Sequence, residues 1–373
     1  MAELFEGPIE NIIESLGRQR VGKRVFAIEA ALEKRIAREG GSPIVEGNHA
    51  FFFIRYAGTE SVSVVGDWNG WKHGEDKIIR INRKSSLCYL KKEFAMDARF
   101  PYRFALDGRD TAMDPLNPRV ALGPLGVNSY FTMPAYRGIP YLINPISKIR
   151  KGKVLDHLVK GNLPIADRKV SIYIPYGLKL KGKHHFLFVN DGDEAISIGN
   201  CIAILDNLYH ENPLLPRTIV VFVPPVDRHA EYMLNPKFAD WFSNSLTTQV
   251  ESKLKVTSAP ELRAIQGASL GGLLASQVGL LYPKVFGNVV AQSASFWYDD
   301  KAIIRLYEMK KKVQVRFYIH TGTVNDALVG SHAMLRVLQQ KGYDVTYRET
   351  TESHNWANWS SQYSEIVKWC VGR

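Results

Sequence analysis

One stretch restricts the fold more than any other. Residues 261–275 read Glu-Leu-Arg-Ala-Ile-Gln-Gly-Ala-Ser-Leu-Gly-Gly-Leu-Leu-Ala. An apolar run enters Gly267-Ala268-Ser269-Leu270-Gly271-Gly272 and leaves through Leu273-Leu274-Ala275. That order is strand, sharp turn, helix, with a serine at the apex, and it fits a G-x-S-x-G nucleophile elbow. Such a serine sits in a strained turn that lifts its hydroxyl above the sheet. Gly267 and Gly271 are then small because strand and helix pass too closely for side chains. The N–H of Leu270 would lie at a helix N-terminus, where it can face a developing oxyanion. A plain glycine-rich turn has the same composition, so the rest of the chain must decide.

The pattern on either side of the elbow alternates strand and helix. Strands are expected at 153–160, 170–175, 185–190, 218–223, 286–291, 313–320 and 345–349. Helices are expected at 198–209, 238–254, 301–310, 327–340 and 356–369. Repeated units of this kind predict an α/β domain with a mostly parallel sheet covered on both faces, over residues 137–373. The stretch 137–150, with Pro140 and Pro145, reads as its linker.

Residues 44–136 differ. Aromatic and β-branched runs at 50–56, 61–65, 87–94 and 100–106 are separated by turns, Asp107-Gly108 among them, with no helical stretch between. They predict an all-β sandwich. Residues 1–43 form a third piece. Ile9, Ile12, Ile13, Leu16, Val25, Ile28, Leu32 and Ile36 recur at helical spacing, with Gly17 and Gly22 as interruptions. This basic amphipathic segment is expected to pack on its own protein rather than on a membrane.

The chain has 373 residues, 45% of them hydrophobic, and a formal net charge of +11. Its Lys and Arg are dispersed and no nucleic-acid motif is visible, so the charge suits long-range attraction of an anionic substrate. Three cysteines without C-x-x-C spacing argue against a disulfide framework or a zinc site. The first residues lack an apolar leader core, and no apolar run is long enough to span a bilayer, so the cytoplasm is the expected location.

In an open α/β sheet the reactive groups gather at the carboxyl ends of strands. Asp326 follows the strand that ends at His320, and His354 follows the last strand. Ser269, Asp326 and His354 therefore stand in the order of an α/β-hydrolase triad. His354 would take the serine proton, and Asp326 would hold the imidazole. Leu270 would supply one oxyanion donor, and Gly192 or Asp193 the second. Asp326 could instead cap the helix behind it, His320 competes as base, and Glu352 is a fallback acid.

Several segments resemble known families. Val65-Gly66-Asp67-Trp68-Asn69-Gly70-Trp71, Tyr102 to Gly108 and Asp114-Pro115-Leu116-Asn117 resemble the early-set immunoglobulin-like modules of branching enzymes and some esterases. The resemblance implies that Trp68 and Trp71 could stack on a sugar, against the alternative that they are packing. Val170 to Pro175, Asn190 to Glu194, Asp227 to Tyr232, Gly267 to Gly272, Gln292 to Trp297 and Ser353 to Trp356 resemble the putative esterase family of enterochelin and feruloyl esterases. This implies serine-dependent hydrolysis of a small ester with no metal or organic cofactor. It also implies a substrate contact from Arg228, set against a structural Arg228–Glu231 pair. Glu231, Tyr232, Phe296, Trp297 and Trp68 complete the expected substrate residues, with Tyr298 beside them. A siderophore ester is the first expectation and a feruloyl or acetyl ester the alternative. A non-catalytic glycan-binding or scaffold protein is the reading from another class. A homo-oligomer is compatible with the sequence.

Overall fold

The computed structural model describes residues 6–58, 61–106, 110–123, 126–142 and 149–372. The Asp107-Gly108 turn and the middle of the linker lie outside the described residues. The chain divides into two compact units, one of residues up to Arg137 with Thr351–Ser353, the other of Gly138–Thr350 with His354 onward.

The first unit begins with helices α1 (Ile9–Arg18) and α2 (Gly22–Arg38). Ten strands follow: β1 (Ile44–Glu46), β2 (His49–Arg55), β3 (Val62–Gly66), β4 (Asp76–Lys77), β5 (Ile79–Arg80), β6 (Leu87–Glu93), β7 (Arg99–Leu106), β8 (Asp110–Ala112), β9 (Val120–Gly123) and β10 (Gly126–Thr132). They form antiparallel sheets ordered β1-β2-β6-β5 and β4-β3-β7-β10-β9, with β8 added to β7. The helical segment does not stand apart. Its apolar stripe, from Ile9 to Ile36, is buried against Ile44, Phe51, Phe53 and Leu87. The neighbouring Phe52 points to the opposite face of β2, as strand alternation requires. There it meets Tyr102 and Phe131 of the second sheet at centroid distances of 4.9 and 5.3 Å.

Trp68 belongs to that aromatic cluster. Its ring lies 5.1 Å from Phe94 and 5.8 Å from Phe52, and its Nε1 donates to Asp76 Oδ2 at 2.6 Å. The expectation of an exposed stacking platform is corrected here, because both the face and the polar handle of the indole are used within the unit. Trp71 Nε1 likewise donates to Asp67 Oδ1 at 2.8 Å.

The second unit carries β11 (Lys153–Val159), β12 (Arg168–Ile174), β13 (His185–Asn190), β14 (Thr218–Val223), β15 (Arg263–Ala268), β16 (Asn288–Gln292), β17 (Arg316–Gly322) and β18 (Val345–Thr350). Their order is β11-β12-β14-β13-β15-β16-β17-β18. The sheet is mixed: β11–β12 and β12–β14 are antiparallel, and every later pair is parallel. The antiparallel start follows from chain length. Only eight residues separate β11 from β12, too few for a crossover helix.

The central strands are apolar on both faces. Phe186, Phe188, Ile265 and Val289 join one core with helix Leu270–Leu281, while Leu187, Val189, Ala264 and Val290 join another with helices Cys201–Glu211 and Tyr363–Val371. That explains the unbroken hydrophobic runs of β13 and β14. Among the described residues no helix is long and apolar enough to cross a membrane.

Leu32 is fully buried under the helical cover. Leu32→Ala is expected to destabilise the first unit by about 2–5 kcal/mol, read as a lower urea midpoint. An unchanged midpoint would show that this cover contributes nothing.

Candidate active site

Ser269 lies between β15 and the helix Leu270–Leu281 at φ 56°, ψ −121°. A non-glycine residue in this region costs about 1–3 kcal/mol and persists only where its surroundings enforce it. Here they do. Ser269 N–H donates to Gln292 O at 2.9 Å, and Ser269 O accepts from Gly272, Leu273 and Ser295 N–H at 3.0–3.2 Å. A Cβ at Gly267 would stand 2.2 Å from the Gly271 carbonyl carbon, and one at Gly272 would stand 2.7 Å from Ala294 Cβ. Glycine is therefore required by close approach of backbone to backbone and to the next strand. At Gly271 a Cβ would stand 3.1 Å from Asp191 Oδ2 and 3.2 Å from Asn190 Cβ, tight but without backbone overlap.

Asp326 and His354 come together from separate strand ends. His354 Nδ1 and Asp326 Oδ1 are 2.6 Å apart. The Asp326 carboxylate is fully buried, and the imidazole is 39% exposed. Ser293 Oγ and Gly322 N–H each donate to Asp326 Oδ2 at 2.6 Å, and Ala327 N–H donates to Oδ1 at 2.7 Å. Burial alone would raise this carboxyl. The His354 imidazole, the Ser293 hydroxyl and the Gly322 amide outweigh it and hold the group below its ordinary value. The helix behind Asp326 starts at Leu328 with Ala327 as its N-cap, so Asp326 is not that cap. The His354 ring stands edge-on to Trp359 at 5.1 Å, and Trp359 Nε1 donates to Ser293 Oγ at 2.9 Å.

Among the described residues, the hydrogen bond of Ser269 Oγ goes to Ser295 Oγ at 3.3 Å, and none joins it to His354. Unliganded sites commonly leave that contact open until substrate arrives.

The loop after β13 adjoins the elbow. Asn190 Nδ2 donates to Gly271 O at 3.0 Å, and Asp191 at φ 55° caps the helix Gly192–Ser197. The amides of Gly192 and Asp193 thus open a short helix next to the one opened by Leu270.

The expected substrate residues divide. Arg228 does not pair with Glu231. It grips Asp191 with Nε and one Nη at 2.8 and 3.0 Å, and it reaches Ala268 O at 3.4 Å. Glu231 is buried in a two-pronged pair with Arg168, both bonds 2.7 Å, beneath Phe238 and Trp241. Tyr232 is fully buried, its hydroxyl accepting from Asp191 N–H at 3.1 Å. Phe296 is a core residue. Glu231, Tyr232 and Phe296 are therefore corrected to structural parts: none has free surface for a ligand. Trp297 is 63% exposed, with Tyr298 against it at 6.3 Å. His320 is fully buried, its Nε2 facing Thr350 Oγ1 at 3.1 Å, and burial pushes its imidazole down to about 4.

Arg168, Asp191, Ser293 and Ser295 escaped the sequence reading as site partners. Gln292-Ser293-Ala294-Ser295 stood out as a motif, but no local signal pairs Arg168 with a glutamate 63 residues away.

Glu352 is also not the acid. It is 4% exposed within the first unit, and burial pushes its carboxyl up to about 7 against the pull of the Arg99 guanidinium. A carboxyl raised in the folded state contributes stability that is fully present below its unfolded pKa, near 4.5, and lost as pH rises through 7. Glu352→Gln cannot ionise. It is expected to match the wild type near pH 4 and to exceed it above pH 7 by up to about 3 kcal/mol, read from unfolding curves across that range. A pH-independent difference would show that the carboxyl is not buried in this way.

A mixed sheet covered on both faces, with a strained serine at the end of a central strand, defines an α/β hydrolase. The chain belongs to the putative esterase family, whose model matches residues 164–370. It is 28% identical over 169 residues to the uncharacterized protein YbbA of Bacillus subtilis, an alignment covering 41% of this chain and 64% of that protein, short of two thirds. It is 27% identical over 103 residues to the iron(III) enterobactin esterase of Dickeya dadantii, which covers 27% of this chain and 24% of that one. The fold is similar to the enterobactin esterase of Shigella flexneri solved in the presence of enterobactin, with TM-score 0.75, 18% identity, and 91% and 97% of the two chains covered. A ferulic acid esterase matches at TM-score 0.52 and 16% identity, over 60% of this chain and 98% of the other. The family is one of carboxylic ester hydrolases.

Proposed function

We propose that this chain is a cytoplasmic serine esterase that hydrolyses a small carboxylic ester through an acyl-enzyme. The observation that carries the reading is the 2.6 Å contact of His354 with a buried Asp326, on the same sheet edge as the strained Ser269. In the mechanism, His354 Nε2 removes the Ser269 proton as Oγ attacks the ester carbonyl. Asp326 holds the imidazole in the tautomer that leaves Nε2 free and stabilises the imidazolium. The oxyanion is met by the Leu270 amide and by the amide of Gly192 or Asp193, one such donor being worth about 3 kcal/mol. His354 then protonates the leaving alcohol, and water repeats the sequence on the acyl-enzyme.

For substrate, we propose an anionic aromatic ester of the catecholate siderophore type. Three things support it: the exposed Trp297, the net charge of +11, and the enterobactin named for two of the relatives. A feruloyl ester would use the same aromatic wall, and the ferulic acid esterase fold supports that second reading.

A fluorophosphonate probe is expected to label Ser269, with labelling lost in Ser269→Ala. Hydrolysis of p-nitrophenyl acetate is expected to fall at least about a thousandfold in Ser269→Ala and about 10³–10⁴-fold in Asp326→Asn. Wild-type protein that is neither labelled nor hydrolytic would sink the esterase reading. A panel of ferric enterobactin, methyl ferulate and an acetylated sugar assigns the ester by the highest kcat/KM.

A further inference from the structure

We infer that Ser295 is a further catalytic residue, whose hydroxyl donates to Ser269 Oγ and stabilises the charge that gathers there during attack; this rests on the serine-esterase reading. Ser295 is 2% exposed. Its backbone is fixed to the elbow, because its N–H donates to Ser269 O at 3.0 Å and its own carbonyl accepts from Tyr298 N–H at 3.1 Å. Its hydroxyl has one hydrogen-bond partner among the described residues, Ser269 Oγ. A buried hydroxyl without another acceptor must place its proton there or leave it unsatisfied.

The direction of the bond follows from the chemistry. If Ser269 donated to Ser295, its proton would point away from the base. If Ser295 donates, the Ser269 proton stays free for His354, and a lone pair stays free for the carbonyl carbon. The separation of 3.3 Å is longer than the usual 2.7–2.8 Å for paired hydroxyls. The contact is therefore loose in the resting enzyme. It has room to shorten as Oγ loses its proton, since hydrogen bonds to charged oxygen are shorter and stronger. An interaction that strengthens only toward the transition state raises kcat rather than ground-state binding. During attack the Ser269 proton passes to His354 Nε2, the Oγ–carbon bond forms, and the carbonyl π electrons move to the oxyanion. Ser295 keeps its own proton throughout.

The same strand end serves both ends of the triad. Ser293 donates to Asp326 at 2.6 Å, and two residues later Ser295 meets Ser269. Ser293 is held at φ 42°, with its N–H on His320 O at 2.7 Å. The turn at Ser293 through Ser295 thus sends one hydroxyl to Asp326 and the other to Ser269 from a single short segment.

The test measures fluorophosphonate labelling of Ser269 and the pH profile of p-nitrophenyl acetate hydrolysis in wild type, Ser295→Ala and Ser295→Cys. Ser295→Ala is expected to slow labelling and lower kcat about tenfold, as for loss of one hydrogen bond near 1.4 kcal/mol. KM and the inflection of the pH profile are expected to stay in place. Ser295→Cys, which keeps the shape but donates weakly, is expected to fall between the two, and it carries the test if the alanine variant does not fold. Wild-type rates in the folded variants would overturn the role of Ser295 and leave the esterase reading standing. A shifted inflection or a raised KM at unchanged kcat would also overturn it, since those mark a structural part. Failure of the wild type itself to label would overturn both.

Discussion

The backbone of Ser269 is held where a side-chain-bearing residue does not settle by itself, and much of the second unit exists to keep it there. The elbow carbonyl takes three N–H donors and the elbow amide finds Gln292 on the next strand. Those bonds require β15 and β16 in register, Gly267↔Ala291 and Ala268↔Gln292. That register in turn depends on the apolar packing of both sheet faces. The strain is small beside the burial that opposes it, so Ser269 can be held in this conformation without threatening the fold.

The loops around the elbow are fastened by charge rather than by apolar packing. Arg168 and Glu231 form a buried pair that fixes the segment leading into Arg228, and Arg228 fixes Asp191 at the start of the candidate oxyanion loop. Such pairs add little net stability compared with apolar residues of equal volume, but removing one partner leaves an uncompensated charge. Their use here is geometric. The cross-links join the start of β12, the loop after β14 and the loop after β13.

How much of this was legible depended on range. The strand-turn-helix at Ser269, the strands His185–Asn190 and Thr218–Val223, and the position of Asp326 and His354 after strand ends were readable, because each rests on local pattern or chain order. Helix boundaries were less so. The helix expected over 198–209 is broken at Asn200, which is left-handed at φ 53°. β10, with the central Ser129 and Tyr130 in a polar-looking stretch, was missed because its burial comes from β7 and not from its own alternation. Glu231 and Tyr232 were read as substrate surface and are instead buried in structural bonds, while Arg228 turns to Asp191 and not to Glu231. Their partners, Asp191 and Arg168, lie 37 and 63 residues away, a separation that carries no sequence signal. For Trp68 the packing alternative holds: Phe52, Phe94, Phe100 and Phe131 close around its ring, and all four lie well away from it in sequence.

One feature of the chain path bears on how the protein is made. The first unit includes Thr351–Ser353, where Ser353 Oγ donates to Asp67 Oδ2. A polypeptide leaves the ribosome from its N-terminus, and its domains ordinarily close in that order. Here the unit that emerges first includes residues that follow the last strand of the other unit's sheet. Its last stitch is added after the whole sheet of the second unit has been synthesised, so neither unit can be separated as an uninterrupted fragment with all of its own residues.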